Sequence, residues 1–110
     1  MHEMALAEGM LQVIEDAARS RPVRTVWLEV GRLAAVETEA LRFAFEVVKH
    51  GTVAQQAQLE ILETPGTAWC MQCGDSVPIA ARGDGCPDCG SYQLQVTGGD
   101  EMRVKELELV

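Results

Sequence analysis

The chain has 110 residues, enough for one ordinary domain or for a small domain carrying a smaller, metal-stapled one. Nine basic residues against seventeen acidic ones leave a net charge of −8, the wrong sign for a surface that binds nucleic acid by neutralising phosphates. No stretch approaches the roughly 20 apolar residues of a membrane span, so neither nucleic acid nor membrane is an expected partner.

The first element is Met1-His2-Glu3. A bulky second residue such as histidine is expected to block removal of the initiator methionine. Three nitrogen donors then lie within two residues: the α-amine of Met1, the backbone amide of His2 and the His2 imidazole. Amine and amide close a five-membered chelate ring on one ion, and amide and Nδ1 close a six-membered ring beside it. Tetragonal ions such as Ni(II) or Cu(II) suit this donor set, and Glu3 adds a carboxylate oxygen or its own backbone nitrogen. With histidine second, the simplest chelate supplies three donors and opens more easily than the four-nitrogen plane of a histidine-third peptide. Amine and imidazole must both be free of protons, so binding weakens below about pH 7. Taken alone, the triplet is better read as a solvated histidine ahead of an amphipathic helix.

Over 3–19 the apolar residues Leu6, Met10, Val13, Ile14, Ala17 and Ala18 recur at the spacing of one helical face. Glu3 suits the positive end of that helix, Arg19 and Arg21 suit the other, and Pro22 marks its stop. Residues 23–30 alternate, with Val26, Leu28 and Val30 on one side and Trp27 and Glu29 on the other, a half-buried strand ending at Gly31. A second helix is expected over 37–49, with Leu41, Ala44, Phe45 and Val48 as its core face and Gly51 after its C-terminus. His50, at the end of that helix, reads as a capping or surface residue. Residues 58–63 read as a strand facing Leu59 and Ile61 one way, and Pro65-Gly66 closes this first part.

The next stretch spells C-x2-C-x12-C-x2-C through Cys70, Cys73, Cys86 and Cys89. Two Cys-x-x-Cys turns bring four thiolates to the corners of a tetrahedron, which suits Zn²⁺. Glycine follows each pair, at Gly74 and Gly90, and tolerates the positive φ that turns backbone N–H groups toward the sulfurs. With four protein ligands the metal has no vacancy for substrate, so the site is structural. Disulfides are the rival reading. No apolar leader is expected, because Glu3, Glu8, Glu15 and Asp16 interrupt the N-terminal apolar residues, and a reducing cytoplasm is the expected home. A thioredoxin-type redox pair belongs once, in a strand-to-helix context, and neither condition holds. Iron in a rubredoxin-like site is chemically allowed, since the ligand set barely discriminates. Four thiolates and one Zn²⁺ would take the net charge to about −10. Between Gly66 and Gly99 the only basic residue is Arg82, against Asp75, Asp84 and Asp88, and the aromatics are Trp69 and Tyr92 alone. That is too little for phosphate binding or base stacking.

Residues 93–97 form a short ribbon strand, Gly98-Gly99-Asp100 a hinge, and 102–110 a last strand. Its alternation slips phase between Met102-Val104 and Leu107-Leu109, as a bulge near Lys105 or Glu106 would produce. Two strands alone make a poor sheet, so the last strand is expected to return to the first two. A place within the ribbon is the competing one. The expected fold class is α+β: a small three-stranded sheet packed with two helices, plus an inserted zinc ribbon. The division is 1–65 with 99–110 for the first domain and 66–98 for the insertion.

Met1-His2-Glu3, the stretch Leu41-Arg42-Phe43-Ala44-Phe45-Glu46, the two Cys-x-x-Cys pairs and the closing Gly99-Asp100-Glu101-Met102-Arg103, taken in order, resemble the HypA/HybF hydrogenase nickel-incorporation proteins. The resemblance covers essentially the whole chain. It implies a cytoplasmic nickel metallochaperone that helps load Ni(II) into the large subunit of [NiFe]-hydrogenase, acts with a maturation GTPase, and in some organisms also serves urease. Carried over, it places nickel at Met1, His2 and Glu3 and zinc at Cys70, Cys73, Cys86 and Cys89. Monomer and homodimer are both open.

A zinc-ribbon adaptor without a nickel site is the alternative, and a rubredoxin-like electron carrier the third. An enzyme is least expected. Two histidines and no nucleophile arrangement leave little catalytic chemistry, and no phosphate-cradling glycine loop with lysine is present.

Overall fold

The computed structural model describes residues 2–110. In chain order the elements are α1 (His2–Ala18), β1 (Val23–Gly31), α2 (Thr38–Val48), β2 (Gln58–Thr64), β3 (Gly66–Cys70), β4 (Asp75–Ile79), β5 (Leu94–Gly98) and β6 (Met102–Leu109). They make two three-stranded sheets, one ordered β2-β1-β6 and the other β4-β3-β5. The last strand therefore returns to the first sheet and leaves the ribbon as an insertion.

Two compact units result, one of 1–29, 36–62 and 103–110, the other of Val30–Ala35 with Glu63–Met102. In the first, α1 turns Ala7, Met10, Ile14 and Ala18 inward, and α2 turns in Leu41, Ala44 and Phe45. β1 buries Val26 and Leu28 at alternate positions, as its pattern predicts, and Val23 is buried at its start. The buried stripe of α1 is rotated from the expected one: Ala7 is inside, while Val13 and Ala17 face out. α1 also stops before Pro22, because Arg19 and Ser20 adopt φ of 50° and 70°. Those are left-handed conformations that a helix cannot continue through. Lys49 caps α2 and is nearly buried, its ammonium held by Glu46 at 2.8 Å and the Ala57 carbonyl at 3.1 Å. Arg42 reaches the Leu59 carbonyl at 2.8 Å and ties α2 to β2.

In the second unit β3 lies between β4 and β5, antiparallel to both. Its core is Leu33, Ala68, Cys70, Val77, Ile79 and Cys86, with Leu94 and Val96 against it. Leu33 comes from the segment after β1, so the unit reaches beyond 66–98. The glycines read as a hinge serve close packing instead. A side chain on Gly31 would strike the Gly99 carbonyl, and one on Gly99 would strike the Pro65 carbonyl and the Gly66 backbone. Three passes of the chain meet here with no room for a Cβ.

Candidate metal centre

The β3 strand delivers Cys70 at its last position, and the turn into β4 carries Cys73. Beyond β4, a second turn carries Cys86 and Cys89. The four sulfurs all lie within 4.8 Å of one another. Cys70 and Cys89 are 3.6 Å apart, and Cys73 and Cys86 are 3.8 Å apart. Disulfide sulfurs sit at roughly 2.05 Å, so these are four free thiols. A tetrahedron with Zn–S bonds of about 2.3 Å has edges near 3.8 Å, so the cluster fits a tetrahedral thiolate-bound ion without rearrangement.

The two turns are built alike. In each, the first cysteine is buried and the second exposed. In each, the following glycine has a positive φ, 65° at Gly74 and 77° at Gly90. Its N–H donates to the carbonyl of the first cysteine at 2.8 Å in both cases. The expectation that N–H groups beyond the glycines reach the sulfurs holds in the second turn, where the Ser91 N–H reaches Cys89, and further donors come from inside both turns. Cys73 N–H donates to Cys70 Sγ at 3.3 Å, and Asp88 N–H to Cys86 Sγ at 3.4 Å. Such bonds favour the thiolate. At Cys86, burial pushes the thiol up, but the Cys89 and Asp88 N–H groups outweigh it and bring it down to about 7. At Cys73 the Cys89 and Cys70 thiols, which need a proton between them, push it well up. At Cys89 the Ser91 N–H pulls the other way, yet the balance is upward.

At the other end of the chain, His2 is the first residue of α1 and is exposed. Met1, the remaining expected contributor, lies outside the described residues. Glu3 is half-buried, and its carboxylate accepts the Glu37 N–H at 3.3 Å. The Glu37 N–H, followed by Glu3's own, holds that carboxyl below the usual range. Glu37 is also the N-cap of α2, its side chain accepting from the Glu39 N–H at 3.2 Å. Sequence reasoning missed this, because glutamate is not a preferred cap. His50 is exposed in the turn after α2, apart from any ligand set. Among the described residues, the cysteine cluster is the one group of His, Cys, Asp or Glu side chains arranged to hold a metal. Among the described residues no helix is long and apolar enough to cross a membrane.

The family model described as hydrogenase/urease nickel incorporation, metallochaperone, HypA matches residues 1–109. The hydrogenase maturation factor HypA of Albidiferax ferrireducens is 62% identical over 112 residues, covering 99% of each chain. That of Azotobacter chroococcum is 59% identical over the same span. Among solved structures, the solution structure of the Ni metallochaperone HypA from Helicobacter pylori superposes with a TM-score of 0.73 at 23% identity, covering 98% of this chain and 97% of that one. A second, the solution structure of a HypA protein, has a TM-score of 0.72 at 25% identity, covering 100% and 97%.

Proposed function

The chain belongs to the HypA family, and from that premise we propose that it carries one Ni(II) at Met1, His2 and Glu3 for hydrogenase maturation. The observation that carries this reading is an exposed His2 opening α1 in a chain that also gathers four thiols into a separate, closed cluster.

The start of a helix is a workable place for such a chelate. The first four N–H groups of a helix have no intrahelical acceptor, so the His2 amide gives its proton to solvent without breaking a helical bond. The helix's positive end disfavours a bare cation. Binding through deprotonated backbone nitrogen offsets that, and leaves a site from which the ion is readily surrendered. The Glu3 carboxylate is already an acceptor for Glu37, which makes the Glu3 backbone nitrogen the expected donor from that residue. Its carboxylate then anchors the start of α1.

Cys70, Cys73, Cys86 and Cys89 hold a structural Zn²⁺ in this reading, and the ion, when bound, staples the second unit. All four positions are taken by protein, so the metal serves shape and not catalysis. The protein is accordingly a carrier, not an enzyme. Its recipient is the [NiFe]-hydrogenase large subunit, with urease as a second recipient. Nucleotide hydrolysis is supplied by a partner GTPase of the same maturation system, in the cytoplasm. The adaptor reading differs in having no nickel site.

Nickel titration of tag-free protein, beside protein with an N-terminal extension, tests the proposal. One Ni(II) per chain is expected for the free amine and a strongly weakened site for the extended chain. Equal binding by the two would remove the amine from the ligand set and sink the assignment.

A further inference from the structure

In the second unit, one side of the β4-β3-β5 sheet carries the thiol core and the other is open to solvent. The strand register sets Trp69 against Ser76 of β4 and Gln95 of β5, and sets Thr67 against Pro78. Directly opposed residues of antiparallel strands share a face, so these five belong to one surface. Thr97 joins them, its hydroxyl 3.2 Å from that of Thr67. The alternate residues Ala68, Cys70 and Val77 point the other way, into the core. Trp69, at the centre of the open face, is 40% exposed.

None of these residues is charged, in a chain where charged residues make up 24% and the net charge is −8. Such a face gives no hold to phosphate or to a densely charged partner. It does offer donors. Among the described residues the side chains of Trp69, Ser76 and Gln95 have no hydrogen-bond partner; Ser76 is bonded through its backbone N–H alone, to Asp75 at 2.8 Å. β4 is an edge strand, and Pro78 deprives it of an N–H, which spoils that edge as a template for strand addition. The face, not the edge, is the surface built for contact.

Pro78 also lines a groove of about 300 Å³, together with Arg32, Pro65, Gly66, Ile79 and Ala80. All but Arg32 are apolar, and Arg32 is exposed with no ion-pair partner among the described residues. At Pro78 the uncharged face therefore runs into an apolar groove marked by one free guanidinium. A polyproline II segment matches this sequence of features. Its carbonyls make no internal hydrogen bonds and call for donors, and its prolines bring no N–H that needs an acceptor. A proline ring packs flat on an indole, and the conformation is set before binding, so little entropy is lost. One turn of three residues advances about 9 Å. Trp69 and Gly66 are three strand residues apart, roughly 10 Å.

We propose that this face docks a proline-rich segment of a partner protein, with one proline against Trp69 and an acidic side chain one turn away at Arg32. Ser76 and Gln95 donate to the segment's carbonyls on either side of the indole. The assignment rests on the second unit alone and owes nothing to the proposed nickel site.

NMR titration of the full-length, zinc-loaded chain with a capped peptide of five prolines and one terminal glutamate tests this. The Trp69 indole N–H signal is expected to shift with a dissociation constant of about 0.1–1 mM, while that of Trp27 stays in place. A glycine-serine peptide with the same glutamate should not bind. Trp69→Ala is expected to weaken binding about tenfold, with circular dichroism and zinc content as checks on folding. Arg32→Gln touches only an exposed side chain. It should abolish the preference for the glutamate peptide over one ending in glutamine, a preference of up to about fivefold in the parent. No shift at Trp69, equal binding of the glycine-serine peptide, a response to maltotriose in place of the peptide, or a preference that survives Arg32→Gln would each overturn the proposal.

Discussion

The carboxylate and the backbone nitrogen of Glu3 have different work in the proposed site, and a conservative change separates them. Its carboxylate is held by the Glu37 N–H and by Glu3's own N–H, and under the proposal that backbone nitrogen gives up its proton to meet the metal. Glu3→Gln keeps an oxygen that can accept from Glu37, so nickel binding is expected to persist, as read by titration. Loss of binding would instead make the carboxylate a ligand. The carboxyl lies below its ordinary range, so its contribution to stability is present above that range and fades as pH falls through the lowered value. The cysteines have the opposite bias. Cys86 sits near 7, while Cys73 and Cys89 are pushed up, so a bound ion must displace protons chiefly from the latter two. Zinc retention, followed with a chromophoric chelator, should therefore fall as pH is lowered from neutral, with protons taken up as the metal leaves. A site that kept its zinc equally well at pH 5 would contradict this.

Elements were legible where pattern and packing agree. β1 reads directly from Val26, Leu28 and Val30, and α2 from Leu41, Ala44 and Phe45, because each buries one clean face. Phe45 is wholly buried, and Phe45→Ala is expected to cost about 3–5 kcal/mol in chemical denaturation. β3 and β4 were not legible as separate strands. With five residues each, and with the buried alternate positions of β3 filled by Gly66, Ala68 and Cys70, they present too short and too small an apolar face to be read as strands. The end of α1 falls within a residue of the expected 3–19, but the left-handed Arg19 and Ser20 that end it ahead of Pro22 were not legible, because periodicity does not report backbone sign. Gly99 carried a misleading signal for the same reason: glycine marks freedom and close approach alike. Gly99→Ala meets both a φ of 76° and the Pro65 carbonyl, so destabilisation by roughly 1–3 kcal/mol is expected in thermal or denaturant unfolding. A variant as stable as the parent would restore the hinge reading.

At the scale of the whole molecule, the two units rest on different forces. The first buries Ile14, Leu28, Leu41 and Phe45 completely or nearly so and has an ordinary apolar core. The second counts two cysteines among its six core residues, so part of its interior is the metal site itself. Zinc removal by a strong chelator is expected to collapse amide dispersion for 63–102 in NMR spectra while signals from α2 and β2 hold their positions. The zinc cluster was readable from spacing because Cys-x-x-Cys repeats leave few geometries open. The proposed nickel triplet was not, because a histidine in front of a helix has no spacing to constrain it, and only the family resemblance raised it.

The central claim is that cargo and staple are separate: nickel at the amino terminus, zinc in the cysteine cluster. Calorimetric titration of Ni(II) into tag-free wild-type and His2→Ala protein, with zinc content measured on both, tests it most directly. The account predicts one nickel per wild-type chain, none of comparable affinity in the variant, and equal zinc in both. Undiminished nickel binding without the His2 imidazole, or loss of zinc along with it, would contradict the account.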